Sequence, residues 1–301
     1  MSPDRQELLQ RQLWSEALQA IQIRRGQVAV IAIDMAKVPL PPYPAQLTRD
    51  SMKQRGERWC AFVLEALMEQ LGPDGTVIVP TFTYSCTSLG RAYVHESTPS
   101  EVGPFTEYLR RLPHARRSLH PLFSLAGVGR NTRDILDDVG KSAFGPASPF
   151  SRLAHFDSVF LCLGASFGSS VTYLHHLEHC HGCNHRFHKV LETDVYRGGE
   201  SQAGPWLAYV RFRGTDALPN LGAVERRLRS EGSLREACLD TGTFQAAHLV
   251  DVDRVGYAML AENPCAFVKH PVTFRLDDHA IVDENRTDTV LTLKLTFDHV
   301  S

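Results

Sequence analysis

Six of the seventeen residues in YLHHLEHCHGCNHRFHK (173–189) are histidine and two are cysteine. Side chains of these types support three kinds of chemistry. The run His175-His176-Leu177-Glu178-His179 fits H-x-x-E-H, in which two histidines one helical turn apart share a zinc ion. Cys180 and Cys183 form a single C-x-x-C, half of a structural zinc site that His185 or His188 would complete. Without metal, His175 near a helix start with Glu178 one turn on makes a general base. A neutral imidazole held in one tautomer accepts protons near pH 7. Just upstream, Gly164-Ala165-Ser166-Phe167-Gly168 fits G-x-S-x-G, and Asp251 with His270 or His279 stands in the order a serine triad requires. No HGGG-like oxyanion segment precedes it. Gly and Ser are also ordinary turn residues, and histidines near a helix end are often only solvated or hydrogen-bonded. Spacing alone leaves the choice open.

The elements around these residues narrow it. Leu8, Leu9, Leu13, Ala17, Leu18 and Ile21 recur at helical spacing and predict an amphipathic helix over 4–24. QVAVIAI (27–33), TVIVP (76–80) and SVFLCL (158–163) are short apolar runs rich in β-branched residues, the pattern of buried strands. PLPPYPAQL interrupts regular structure after the first strand, because proline continues neither a helix nor a central strand. A second helix is expected over 51–71, a third over 104–112 with proline at its first position, and one from about 171 to 179. LAYVRFR and TVLTLKLTF alternate like antiparallel strands. The expected class is α/β: a central, largely parallel sheet flanked by helices, with antiparallel strands toward the C-terminus, in one domain over 1–301. His175 then follows a Gly/Ser loop at the carboxyl end of a strand, where open α/β sheets bind ligands.

Bulk composition excludes other classes. A formal net charge of −2 and no basic run argue against nucleic acid as a partner. No apolar stretch approaches the roughly 20 residues of a membrane span. MSPDRQELLQRQL lacks the apolar centre of a signal peptide. Seven cysteines, an odd number, suit reduced thiols and a cytoplasmic location. Any self-assembly is expected to be a homodimer.

Several segments in order resemble the antibiotic N-acetyltransferase family, typified by aminoglycoside 3-N-acetyltransferases. GPDGTVIVPTFT (72–83) looks like that family's "P-x-GTLVMPT" strand and turn. STPSEVGPFTEYLRRLPHARRSLHPLFSLAGVG (97–129) resembles its TPS, helix and RS-x-HP-x-x-S stretch. FGPASPFSRLAHFDSVFLCLGASFGSSVTYLHHLEH (144–179) resembles its "G-x-x-SP-x-x-RL … LLLG … T-x-LH-x-x-E" block, which absorbs both the G-x-S-x-G and the H-x-x-E-H.

The resemblance implies an acyl-CoA-dependent N-acyltransferase with acetyl-CoA or another acyl-CoA as co-substrate and no metal. It implies His175 as general base and Glu178 as its acidic neighbour. Arg117, Ser118, His120 and Ser124 fall on the stretch lining the acyl-CoA and acceptor cleft, and Thr81 and Thr83 on the P-T turn next to Tyr84. The family's CoA-side "VHSSL" loop appears here as IAIDMAK, which makes Met35, Ala36 and Lys37 the CoA-side residues. Its acidic residue before TPS is replaced by Val94, with His95 and Glu96 beside it, so Glu96 is expected on the acceptor side. NHRFHK (184–189) looks like the "PYRYHK" of members that acylate nucleotide-linked amino sugars. Arg186 and Lys189 would there meet phosphate.

Biosynthetic acylation of an amino sugar or nucleotide-linked amine is therefore the leading expectation, with aminoglycoside acetylation as the alternative. A zinc hydrolase, a ping-pong route through Cys162, Cys180 or Cys183, and a non-catalytic binding protein are the competing classes.

Overall fold

The computed structural model describes residues 3–42, 49–211 and 218–270, and beyond these only the strand backbones Phe274–Asp277, Ala280–Asp283 and Val290–Thr292. His279 and most of TVLTLKLTF lie outside the described residues. In chain order the first twelve strands are β1 (Val28–Ile33), β2 (Thr76–Pro80), β3 (Tyr93–Val94), β4 (Arg116–Arg117), β5 (Leu125–Gly129) and β6 (Ser158–Leu163), then β7 (Arg186–Leu191), β8 (Val195–Arg197), β9 (Glu200–Ser201), β10 (Trp206–Arg211), β11 (Arg235–Leu239) and β12 (Gly242–His248).

Seven of them form the central sheet in the order β11-β12-β6-β1-β2-β5-β4. At its centre β6, β1 and β2 run parallel, with Val28 opposite both Thr76 and Ser158. These are the three apolar runs of the sequence, and being covered on both faces they need no polar residues. Their alternation divides them between two cores. Val28, Val30, Ile78, Phe160 and Cys162 face one side. Ala29, Ile31, Val77, Val79, Val159, Leu161 and Leu163 face the other. The parallel part stops there: β12 joins β6, and β5 joins β2, both antiparallel. Antiparallel strands thus flank both edges, one set from residues 116–129 rather than only from the C-terminal part.

Helices Pro3–Ala20 and Arg49–Leu71 cover one face, as the periodicity predicts. Trp14 is fully buried there; its ring meets Phe62 and Phe244, and its indole N–H donates to the Pro39 carbonyl at 2.7 Å. The opposite face is covered by shorter helices, Pro149–Leu153, Leu174–His181, Gly222–Ser230 and Leu249–Glu262 among them. Among the described residues no helix is long and apolar enough to cross a membrane.

The carboxyl ends of β1, β2 and β6 open onto one edge. After β1 a single turn of 3₁₀ helix, Met35–Lys37, is capped by Asp34, whose carboxylate accepts from the Ala36 N–H at 3.1 Å. After β6 the backbone turns at Gly164, with φ +67. A Cβ there would stand 2.6 Å from the Lys37 carbonyl oxygen, so only glycine lets the two loops touch.

Candidate active site

The helix Leu174–His181 carries His175 in its first turn and Glu178 one turn on, so both side chains lie on one face. Gly182, at φ +77, ends it. The Cys183 N–H donates to the Glu178 carbonyl and the Gly182 N–H to the His179 carbonyl, each at 3.1 Å, the paired bonds of a left-handed reversal. Tyr209 fixes the turn by donating to the Cys183 carbonyl. The chain doubles back, and β7 begins beside the helix it has just left. His185 and Arg186 thereby reach Glu178.

Glu178 is fully buried and has partners on both oxygens. One accepts from His175 Nδ1 at 2.7 Å; the other accepts from His185 Nε2 at 2.8 Å. Arg186 Nε forms an ion pair with the first oxygen at 2.7 Å, and its Nη2 points at His175 Nε2 at 3.4 Å. Burial by itself raises the carboxyl pKa, but the hydrogen bonds from His175 and His185 outweigh it, and the group stays ionised well below the usual carboxylate range.

His175 is pushed the other way. Burial lowers its pKa first, the Arg186 cation second, and Glu178 opposes them only in part. A carboxylate can only accept, so the His175 proton sits on Nδ1. Nε2 keeps its lone pair. The side chain is 17% exposed, enough to leave the ring at the surface of the cluster, while Phe144 stacks edge-on at 5.8 Å. The assembly is an imidazole held neutral, in one tautomer, by a buried carboxylate. That arrangement takes a proton from a nucleophile and holds the charge it gains.

The other motifs do not assemble. His179 lies one turn from His175, but its ring packs on His188 and Tyr209. Among the described residues no three His, Cys, Asp or Glu side chains converge into a metal-holding set. Ser166 is exposed and its hydroxyl faces Glu225 at 3.4 Å, while Asp251 is paired with Arg254 and His270 stands exposed. The thiols are poor nucleophiles: burial pushes Cys183 up to about 12 and raises Cys162 and Cys180 as well.

Of the RS-x-HP-x-x-S residues, Arg117 borders two grooves, whereas Ser118, His120 and Ser124 are buried, and the polar atoms of the set are largely engaged internally. Arg117 donates to the carbonyls of Thr98 (2.6 Å), Thr81 (3.0 Å) and His95 (3.2 Å) and to the Ser124 hydroxyl (3.1 Å). Thr81 bonds Ser124, Thr83 donates to the Pro121 carbonyl, and Ser118 accepts the Leu125 N–H. His120 Nδ1 accepts the N–H groups of Leu122 and Phe123, so its proton is on Nε2, directed at the Leu207 carbonyl. Burial drops its pKa to about 4. These groups brace the β4–β5 hairpin against the loop after β2. A sequence shows which residues are polar, not whether their neighbours have already satisfied them.

Met35, Ala36 and Lys37 lie at the carboxyl edge of the sheet; Lys37 is exposed and pairs with Asp34 at 3.1 Å. Tyr84 is half-exposed, and Glu101 accepts the N–H of the neighbouring Ser85 at 3.1 Å. Rings lead from there to the base: Tyr84 to Phe82 at 6.4 Å, Phe82 to Phe123 at 5.0 Å, Phe123 to Phe144 at 5.0 Å, then His175. Glu96 instead caps the Gly198 N–H at 2.9 Å and lines a separate groove of about 460 Å³ with His95, Arg110 and Arg111.

Arg186 is not free for a phosphate, since Glu178 and His175 occupy it. Lys189 is exposed and three residues further along β7, on the opposite face of that strand. The residue that sequence reasoning missed is His185 as the second donor to Glu178. Gly182 after the helix is the one signal of the reversal that brings it there.

A histidine–carboxylate pair at the carboxyl edge of an α/β sheet is an arrangement suited to acid–base chemistry. The comparisons make it specific. The sequence model for aminoglycoside 3-N-acetyltransferases matches residues 51–260, and the chain belongs to that family. It is 32% identical over 111 residues to aminoglycoside N(3)-acetyltransferase IV of a Salmonella species, covering 36% of this chain and 42% of that one. It is 30% identical over 145 residues to aminoglycoside N(3)-acetyltransferase III of Pseudomonas aeruginosa, covering 41% and 52%. The chain thus spans about half the length of the relatives it matches. In fold it is similar to the apoenzyme of aminoglycoside acetyltransferase AAC(3)-IVa, with a TM-score of 0.68, 19% identity and 87% and 91% of the two chains covered. AAC-IIIb bound to CoASH gives a TM-score of 0.68 at 18% identity, covering 87% and 98%.

Proposed function

We propose that this protein transfers an acetyl group from acetyl-CoA to an amine of an aminoglycoside-like amino sugar, by direct attack and with the whole chain acting as one transferase unit. Family membership supports the reaction class, and relatives named for aminoglycoside N(3)-acetylation support the acceptor class. The observation that carries the chemistry is the His175–Glu178 pair at 2.7 Å with Nε2 left unprotonated.

An amino-sugar amine is mostly ammonium in neutral water and cannot attack a carbonyl until it has lost a proton. In the proposed step the acceptor enters as the neutral amine, its ammonium proton having gone to solvent, and the nitrogen bonds to the thioester carbon while His175 Nε2 removes one of the two remaining protons. Glu178 stabilises the imidazolium. The tetrahedral intermediate then expels the CoA thiolate, which takes a proton back from His175, leaving amide and free thiol. Tyr84 and Glu101, at the far end of the aromatic row, suit the ring faces and positive charge of such an acceptor. The nucleotide-linked acceptor, part of the leading expectation from the sequence, drew on Arg186 and Lys189 meeting phosphate, on the altered IAIDMAK loop and on few carboxylates for a polycation, and of these Arg186 is engaged with Glu178.

The test is thiol release from acetyl-CoA with a panel of aminoglycosides, simple amino sugars and nucleotide-linked amines. Turnover should concentrate on the aminoglycosides. His175→Ala should cost about 10²–10⁴ in kcat and leave acetyl-CoA binding unchanged. Release with nucleotide-linked amines alone would replace the acceptor assignment, and no release with any amine would end the reading.

A further inference from the structure

Three groups surround the base: Glu178 from its own helix, and His185 and Arg186 from the returning chain. Only Glu178 has a role in the proposed step. On the far side of the helix, Asp253 and Tyr257 of Leu249–Glu262 face His176 and Cys180 instead of the His175 ring. The electrostatics of His175 are therefore set by those three groups and by burial.

Arg186 occupies an unusual place among them. Its guanidinium spans the dyad, with Nε 2.7 Å from the Glu178 oxygen that His175 also uses and Nη2 3.4 Å from His175 Nε2, the nitrogen that must take the proton. A cation there neutralises the buried carboxylate. It also stands against a second positive charge on the ring. Its side chain is only 7% exposed, so solvent screens it weakly. At the first pair contact it serves as counter-ion; at the second it is a like charge to the imidazolium. His185 acts on the same balance from the other Glu178 oxygen, which its Nε2–H faces, and its effect on His175 ranks after those of burial and Arg186.

We propose that Arg186 is a positioning residue of the base: it fixes the Glu178 carboxylate toward His175 Nδ1 and, as a cation beside Nε2, keeps the ring unprotonated until an acceptor nitrogen displaces the long Nη2 contact. The same charge disfavours an ammonium ion at that spot. It thus selects the neutral amine, the form that can attack. The assignment rests on the base role proposed above for His175, and it concerns how that base is held ready.

The experiment is a pH titration of the histidine rings in the full chain by ¹⁵N-edited NMR, with the His175 signal identified by its loss in His175→Asn. Wild type, Arg186→Gln and Arg186→Lys are compared. Wild type should show the Nδ1–H tautomer at pH 7 and a midpoint below the ordinary histidine value. Arg186→Gln should move that midpoint up by roughly one pH unit, whereas Arg186→Lys, which keeps the charge, should stay near wild type. An unmoved midpoint in Arg186→Gln overturns the proposal. If that variant does not fold, Arg186→Met, which removes the charge but keeps the length, is read in its place: a midpoint raised from wild type supports the proposal and an unmoved one overturns it. No substrate enters the titration, so absent thiol release would sink the acetyltransferase reading without altering this result.

Discussion

Glu178 illustrates how much one buried carboxylate can organise. Fully enclosed and ionised, it holds two histidine N–H groups and one guanidinium, and each of those partners fixes a different segment. Glu178→Gln retains the shape but loses the charge that supports an imidazolium. Kcat should fall by about 10²–10⁴-fold, and the His175 midpoint should drop further below its wild-type value, as seen by the same NMR titration. The sign for activity follows from the base role. The proposed base is competent above its pKa, and that pKa is lowered, so the limb of kcat/KM that belongs to His175 should lie on the acid side of an ordinary histidine's, apart from a second rise at higher pH as the acceptor ammonium loses its proton. His175 and Glu178 were legible in the sequence because a three-residue spacing on a helix needs no further information. Arg186 was visible as a cation but read as a phosphate ligand, since the chain reversal that spends it on Glu178 is a tertiary event.

At the scale of elements, two glycines do comparable work by different means. Gly164 and Gly182 both sit at positive φ, where a Cβ costs about 1–2 kcal/mol. Around Gly182 there is open space, whereas at Gly164 a Cβ would also press within 2.6 Å of the Lys37 carbonyl. Gly164→Ala should therefore destabilise more than Gly182→Ala in urea unfolding, because only the former forces the Met35–Lys37 turn away from β6. The sequence placed the strands and long helices well, since both faces of β1, β2 and β6 are covered and their residues are apolar apart from Thr76 and Ser158 at the strand starts. It placed the outer strands less well. An edge strand of two residues such as β4 carries no periodicity to read, and its partner is chosen by the sheet.

The whole molecule should respond to acid through its buried histidines. Burial is the first cause that takes His120 to about 4, and burial with Arg117 and Arg197 takes His95 to about 4 as well. In the unfolded chain these rings take up protons near pH 6.5, while the folded protein refuses them until about pH 4. The unfolded state thus binds more protons between those limits, and stability falls as pH falls through that window. Carboxylates with lowered values, Glu178 and Glu107 among them, add a further loss below their ordinary range. Thermal melting should show a level Tm above pH 7 and a decline from about 6.5 downward; a Tm that stays flat to pH 5 would contradict the buried-neutral assignment of His120 and His95.

The sequence by itself determined the α/β class, the three central strands, the helix bearing His175 and Glu178, and the family blocks that contain them. All of these rest on local periodicity or on contiguous pattern. Which polar residues are free was decided only by the tertiary structure. Arg117, Ser124, Thr81 and His120 each have at least one partner more than thirty residues away, and His185 and Arg186 meet Glu178 because a single left-handed glycine turns the chain back. Hydrogen-bond saturation depends on neighbours in space, and a linear pattern does not specify those.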